Sequence, residues 1–204
     1  MPVRLLIATT NPHKLREIRA LLAEADVELS ALDALPGVPE PEETGTTFEE
    51  NARLKALYYS RAWEQSGRAP ILVAGEDSGL VVDALDGEPG VRSARFLGAD
   101  VPYEERFAEI FRRLEARPDR PRSARFVCAL AVVRSGETVF ETTGLVEGEI
   151  AQAAGGGHGF GYDPIFFFPP YGRTLAELND EEKRRVAHRG HAFRKLAEWL
   201  RGRA

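Results

Sequence analysis

ILVAGEDSGLVV, from Ile71 to Val82, passes from apolar residues through Glu76-Asp77-Ser78-Gly79 and back to apolar ones. Short apolar runs bounded by small, turn-forming residues read as buried strands, so strands are expected over Ile71–Gly75 and Leu80–Ala84, with the acids at the junction. Burying a carboxylate without a partner is costly, and two in a row at a strand end ask for compensation. If the strand continued through them, alternation would turn Glu76 and Asp77 to opposite faces, leaving one of them for a given cleft. Ser78 and Gly79 are small and leave room for a ligand beside Asp77.

Upstream, Val3–Thr9 reads as another buried strand and Pro12–Glu24 as a helix, because Leu15, Ile18, Leu21 and Leu22 recur at helical spacing. Asn11 suits the N-cap and Pro12 the first helical position. A short strand over Val27–Leu32 precedes the loop DALPGVPEPEETG; Thr47 and Glu50 then form a capping box that starts a helix running to Gly67. Further on, a helix over Pro102–Ala116 is initiated by Asp100, and Ala124–Arg134 with Glu137–Val146 makes a hairpin about Ser135-Gly136. The glycine-rich AAGGGHGFGYDP leads into PIFFFPP, and the remainder is helical with one interruption at AHRGH. No repeat or low-complexity segment separates domains, so the pattern reads as one α/β domain over 1–204, with helices packed around a mixed sheet.

The chain has 204 residues, 43% of them hydrophobic and 29% charged, enough for a sizeable interior. Its formal charge of -5, with acids and bases interspersed, argues against a continuous phosphate-tracking surface, so no nucleic-acid partner is expected. The single cysteine, Cys128 in RFVCALAVV, cannot form an internal disulfide and fits a reducing compartment; there it reads as packing rather than as a nucleophile. MPVRLLIATTNPHK has no long apolar region and no later segment approaches membrane-spanning length, so a cytoplasmic protein without a membrane partner is expected.

Four segments carry residue types suited to chemistry. ATTNPHK sets Thr9, Asn11 and Lys14 at a strand end and helix start, where unpaired backbone N–H groups and a positive dipole end favour phosphate, although ordinary capping makes the same pattern. Glu40, Glu42 and Glu43 in the acidic loop, with Glu76 and Asp77, are hard oxygen donors of the kind Mg²⁺ takes, or else a solvated acidic surface. GGGHGFGYDP packs five glycines between Gly155 and Gly161 around Phe160, Tyr162 and Asp163; it offers close backbone approach, a stacking face and an acceptor, or simply a flexible connection. In LNDEEKRRVAHRGHAFRKL, Asn179 and Glu182 make an N-terminal cap, while Lys183, His188 and Arg189 cluster near a helix break as phosphate or carbonyl donors, or as a solvated helical face.

Taken together, TTNPHK, PEETGTTFEENARLKA, EDSGLVVDALDGEPGVRSAR, GFGYDPIFFFP, TLAELNDEEK and AHRG resemble, in order and spacing, the inosine triphosphate pyrophosphatase or Ham1-like family over nearly the whole chain. The resemblance implies an elongated mixed sheet with flanking helices in two lobes around a central nucleotide-binding cleft, and a homodimer. It also implies Mg²⁺-dependent conversion of ITP, dITP or XTP to the monophosphate and pyrophosphate; a related metal-dependent phosphohydrolase with another nucleotide substrate and a non-hydrolytic nucleotide-binding regulator are the alternatives. Matching residue by residue, it places Thr9, Thr10, Asn11, Pro12, His13 and Lys14 on the triphosphate with Ser78 beside it, and makes Asp77 the metal-linked general base with Glu42 the second metal-associated acid. Phe160, Gly161, Tyr162 and Asp163 fall in the nucleoside pocket, Lys183 near substrate and His188-Arg189 at the base, with Glu76, Asn51 and Lys55 as supporting candidates. The chain departs from the pattern at Thr10 and His13, where small residues are common, at Glu76 for Asp, at Arg92 for Tyr and at Ala187 for Ser.

Overall fold

Alternation along β1 (Val3–Ala8) divides its side chains between two apolar clusters: Leu5 and Ile7 enter one, Leu6 and Ala8 the other. A strand buried on both faces belongs inside a parallel sheet covered by helices. In this computed structural model, which describes residues 2–202, β1 is flanked in parallel by β2 (Val27–Ser30) and β3 (Leu72–Val82), with Leu5 opposite Leu72 and Ala8 opposite Gly75. The cluster holding Leu5 and Ile7 also takes Ile18 and Leu22, from α1 (Pro12–Leu21) and its C-cap, and Phe193, Leu196 and Leu200 from α5 (His188–Arg201). The cluster holding Leu6 and Ala8 takes Tyr59 and Trp63 of α2 (Phe48–Gln65).

The remaining strands are β4 (Ser123–Arg134), β5 (Glu137–Ile150), β6 (Phe166–Phe168) and β7 (Arg173–Thr174), and the seven-stranded sheet runs β2-β1-β3-β4-β5-β6-β7. The parallel β2-β1-β3 pairings and antiparallel β5-β6-β7 pairings make it a mixed sheet. Ser135 and Gly136 join β4 to β5 with φ of 52° and 77°; both are left-handed, as two-residue hairpin turns that match strand twist require.

The chain divides into two compact units. The first holds the residues up to Asp77, Cys128–Gly144 and those from Arg189 onward; the second holds Ser78–Val127 and Leu145–His188. Both units are assembled from separated stretches, so no single cut in the chain releases either. The second unit packs Leu80, Val82, Phe126, Val146, Ile150 and Phe166 with Phe107, Ile110 and Leu114 of α3 (Tyr103–Glu115). No helix among the described residues is long and apolar enough to cross a membrane.

Several sequence expectations are corrected: the stretch after PIFFFPP is not wholly helical, since β7 pairs with β6 there, and the hairpin's second arm runs to Ile150 rather than Val146. The strand does not break at the acids: β3 continues from Leu72 to Val82, because both carboxylates find side-chain partners and the backbone stays in the ladder. The first helix stops at Leu21 rather than Glu24, with the Leu22 N–H closing on Ile18 and the chain turning toward β2. Asp100 does not cap α3; Pro102 occupies the N-cap with ψ of 151°, so the helical path starts only at Tyr103. Both expected capping boxes form, at Thr47/Glu50 and at Asn179/Glu182 ahead of α4 (Asp180–Val186). The interruption expected at AHRGH is one residue, Ala187, whose ψ of 154° separates α4 from α5.

Candidate active site

Alternation on β3 settles where the acids go. Leu72 and Ala74 lie on the α1/α5 face and Val73 on the α2 face, so Glu76 belongs with the first pair and Asp77 with the second. Their partners follow this division. Glu76 is 3% exposed and accepts on both oxygens: Lys14 Nζ stands 3.0 Å from Oε1, and Arg189 reaches Oε2 through Nε at 3.2 Å and Oε1 through Nη2 at 3.3 Å. The Cys128 thiol donates to Oε2 at 3.1 Å. Arg189 is itself buried, and its Nη1 donates to Glu17 Oε2 at 2.6 Å.

Asp77, 5% exposed, accepts from Asn51 Nδ2 on Oδ2 and from Lys55 Nζ on Oδ1, each at 3.2 Å. Lys55 also donates to Glu43 Oε1 at 2.6 Å, so one ammonium holds two carboxylates. Glu43 is half-buried, whereas Glu42 beside it is exposed.

The two neighbouring acids are driven apart in acidity. Burial alone would raise the Glu76 carboxyl, but the Arg189 and Lys14 charges outweigh it, helped by Cys128, and hold it well below the usual carboxylate range. Asp77 is raised, by burial first and by the negative Glu43, with Lys55 opposing only in part. Burial works against the Lys55 ammonium too, yet Asp77 and Glu43 more than offset it and keep the amine protonated. Burial pushes the Cys128 thiol well up, so it stays a neutral donor, in keeping with a packing residue rather than a nucleophile.

At the β1–α1 junction, Asn11 Oδ1 accepts from the His13 N–H at 2.9 Å and the Lys14 N–H at 3.2 Å, and Thr9 Oγ1 accepts from the Asn11 N–H at 3.2 Å. Asn11 thus acts as a cap that fixes the helix start and sends Lys14 back toward Glu76. Thr10 donates to Glu40 of the acidic loop, and Pro12 and His13 are exposed.

In the second unit, Asp163 Oδ2 accepts from Lys183 Nζ at 2.6 Å and from the Phe160 N–H at 2.8 Å, and Lys183 Nζ lies 4.8 Å from the centre of the Phe160 ring. Gly159 makes this packing possible. Its φ is +75°, and a Cβ there would stand 2.2 Å from Asp163 Oδ2 and 3.1 Å from Lys183 Nζ. Tyr162 is buried with its hydroxyl donating to the Ser93 carbonyl at 2.9 Å and its ring edge-on to Tyr103, which makes it a structural anchor for the Gly161 turn at φ +66°. His188 is buried and stacks on Phe126 at 4.8 Å, and Ser78 is half-buried on β3.

The structure therefore gathers Lys14 with Glu76, Asp77 with Lys55, Asn51 and Glu43, and Phe160 with Asp163 and Lys183. Glu17 and the Cys128–Glu76 contact were absent from the sequence reading. Glu17 had a signal, since it lies three residues after Lys14 on the same face of α1. Cys128 had only its parity with Leu130 and Val132, which says nothing of register with β3.

The Ham1 family model matches residues 5–199. The chain is 41% identical over 198 residues to the dITP/XTP pyrophosphatase of Oceanobacillus iheyensis, covering 97% of this chain and 98% of that protein. It is 47% identical over 195 residues to the dITP/XTP pyrophosphatase of an Exiguobacterium species, covering 95% of each. Among solved structures, a HAM1 protein from Coxiella burnetii superposes with a TM-score of 0.87 at 38% identity, over 98% of this chain and 99% of that one.

Proposed function

Since the chain belongs to the Ham1 family, we propose that it hydrolyses deaminated purine nucleoside triphosphates, namely ITP, dITP or XTP, to the monophosphate and pyrophosphate. The observation that carries this reading is the split pair on β3: Glu76 is held ionised by Lys14 and Arg189, while Asp77 is raised toward a proton acceptor's range. Asp77 orients a water and takes its proton as the water oxygen attacks the α-phosphorus. The new P–O bond forms as the α–β anhydride bond breaks, and pyrophosphate leaves. Lys14 meets the phosphates, and Glu76 fixes where its ammonium stands.

The donor set fits Mg²⁺. Asp77 and Glu43 present only hard oxygens and already converge on one cation, the Lys55 ammonium. Asp77 and Glu43 would hold the ion, with substrate phosphate and water oxygens as the further ligands such an ion takes. Of the two adjacent loop acids, the Lys55 contact favours Glu43 over Glu42 as the second carboxylate. When bound, the ion neutralises phosphate charge as it builds on the leaving oxygen. Phe160 supplies a stacking face for the purine, steadied by Asp163 and Lys183. The neutral, buried Cys128 thiol suits a reducing cytoplasm, and a homodimer is the working form.

The test is a product-resolved assay of ITP, XTP, dITP, ATP and GTP with Mg²⁺. Pyrophosphate from the first three supports the reading; orthophosphate alone, or equal turnover of ATP, overturns it. Light scattering that finds only monomer across working concentrations overturns the dimer.

A further inference from the structure

Asn51 is fully buried one turn into α2, and Lys55 follows at the next turn of the same face. The helix that carries them is set against β3 at backbone distance. A Cβ on Gly75 would lie 2.4 Å from the Ala52 carbonyl oxygen and 2.6 Å from the Ala56 nitrogen, so only glycine lets the strand come this close. Asp77, two residues beyond Gly75 on the same strand face, is thereby delivered to Asn51 and Lys55.

The Asn51 amide has its orientation imposed. Its Oδ1 accepts from the Gly45 N–H at 2.8 Å, which leaves the NH₂ end to donate to Asp77 Oδ2. The fit at Gly45 is tight, since a Cβ there would stand 2.6 Å from Asn51 Oδ1 and 2.8 Å from Glu50 Cβ. Below it, Glu50 Oε2 accepts from the Thr46 and Thr47 N–H groups at 2.6 and 3.3 Å, closing the turn. Two residues before Gly45, Glu43 holds Lys55 from its other side. One amide thus ties the acidic loop to the strand acid.

We propose that Asn51 is a positioning residue for hydrolysis: by clamping Gly45 with its oxygen and Asp77 with its nitrogen, it keeps the Asp77 and Glu43 carboxylates in one arrangement without touching the nucleotide. The proposal rests on the pyrophosphohydrolase reading above and names a residue whose effect is on turnover.

Three variants separate the arms. Asn51→Ala removes both bonds, Asn51→Asp keeps the acceptor for Gly45 but loses the donor to Asp77, and Gly45→Ala crowds the clamp from the loop side. The measurements are pyrophosphate release, giving kcat and KM separately, and amide hydrogen exchange at Gly45 by NMR in the nucleotide-free protein. Misplacement of a reacting group by an ångström costs about 100-fold, so kcat is expected to fall by roughly that factor in all three variants, with KM within about threefold of the parent. The Gly45 amide is expected to lose protection in Asn51→Ala and keep it in Asn51→Asp. Because they break one clamp, Asn51→Ala and Gly45→Ala together are expected to lose no more than the worse single variant. Parent-like kcat in folded Asn51→Ala, multiplying losses in the double variant, or unchanged Gly45 exchange in Asn51→Ala overturns the proposal. A parent protein that releases no pyrophosphate from any nucleotide overturns the functional reading instead, and the exchange result then judges the clamp by itself.

Discussion

Glu76→Gln is the substitution that most sharply separates structure from catalysis at this site. Each Glu76 oxygen faces two donors, Lys14 Nζ and Arg189 Nη2 at Oε1, and Arg189 Nε and the Cys128 thiol at Oε2. Whichever way a glutamine amide is turned, its NH₂ points at donors, so the substitution removes a charge and sets N–H against N–H. Removing one partner of a buried pair costs about 3–5 kcal/mol. Arg189 keeps Glu17 and the Lys14 side chain is 16% exposed, so the lower end applies, about 3 kcal/mol. For a chain of 204 residues this corresponds to a fall of roughly 6–12 °C in Tm. Asp77→Asn is the control at the next position. Its carboxylate carries a burial penalty, and Lys55 retains Glu43 when Asp77 is neutralised, so the stability change is expected to stay within about 1 kcal/mol while turnover is lost. Urea unfolding at neutral pH, read by fluorescence and circular dichroism with the slope checked for constancy, measures both. If Glu76→Gln unfolds within about 0.5 kcal/mol of the parent, or if Asp77→Asn is the more destabilised, the assignment of the two faces is wrong.

The lowered Glu76 pKa has a signed consequence: its stabilisation is present above the ordinary carboxylate value of 4.5 and is lost as pH falls below it, so the stability gap between parent and Glu76→Gln narrows in acid; a gap independent of pH between 7 and 3 contradicts this. Gly159→Ala forces a side chain into left-handed backbone and onto Asp163, and is expected to cost about 1–3 kcal/mol and to raise KM for ITP; an unchanged KM removes this turn from substrate binding. Lys183→Met takes the ammonium away from the buried Asp163 carboxylate, which should lower stability by about 3 kcal/mol, and a Tm equal to the parent's contradicts the pairing.

The parts of the fold legible in the sequence are those specified within a few residues. Asn11 with Pro12, Thr47 with Glu50, and Asn179 with Glu182 each declare a helix start by local hydrogen bonding, and all three form. Ser135-Gly136 declares its hairpin in the same way. The junction at Glu76-Asp77 was misread as a strand end because what sustains the strand there is remote: Arg189 lies 113 residues further along the chain. For the same reason the resemblance pointed to Glu42, not Glu43, as the second metal-associated acid. Both sit in one acid-rich loop, and only the fold shows Lys55, twelve residues after Glu43, reaching the second of them. Arg189 was expected at a nucleotide base by resemblance. In the structure all three of its guanidinium nitrogens donate to Glu76 and Glu17.

What makes the adjacent acids useful is that they are adjacent on a strand rather than on a helix. Consecutive strand residues see different surroundings, because alternation sends one to the α1/α5 face and the next to the α2 face. On the first face the nearest donors are a lysine and an arginine that outweigh burial; on the second they are an amide and a lysine already shared with Glu43, and burial wins. On the strand, one dipeptide thus yields a carboxylate held ionised beside Lys14 and Arg189 and, next to it, one whose pKa burial raises. The continuation of β3 through Glu76-Asp77 is therefore what keeps their surroundings apart, since a strand that ended at Gly75 would no longer hold the two side chains on opposite faces.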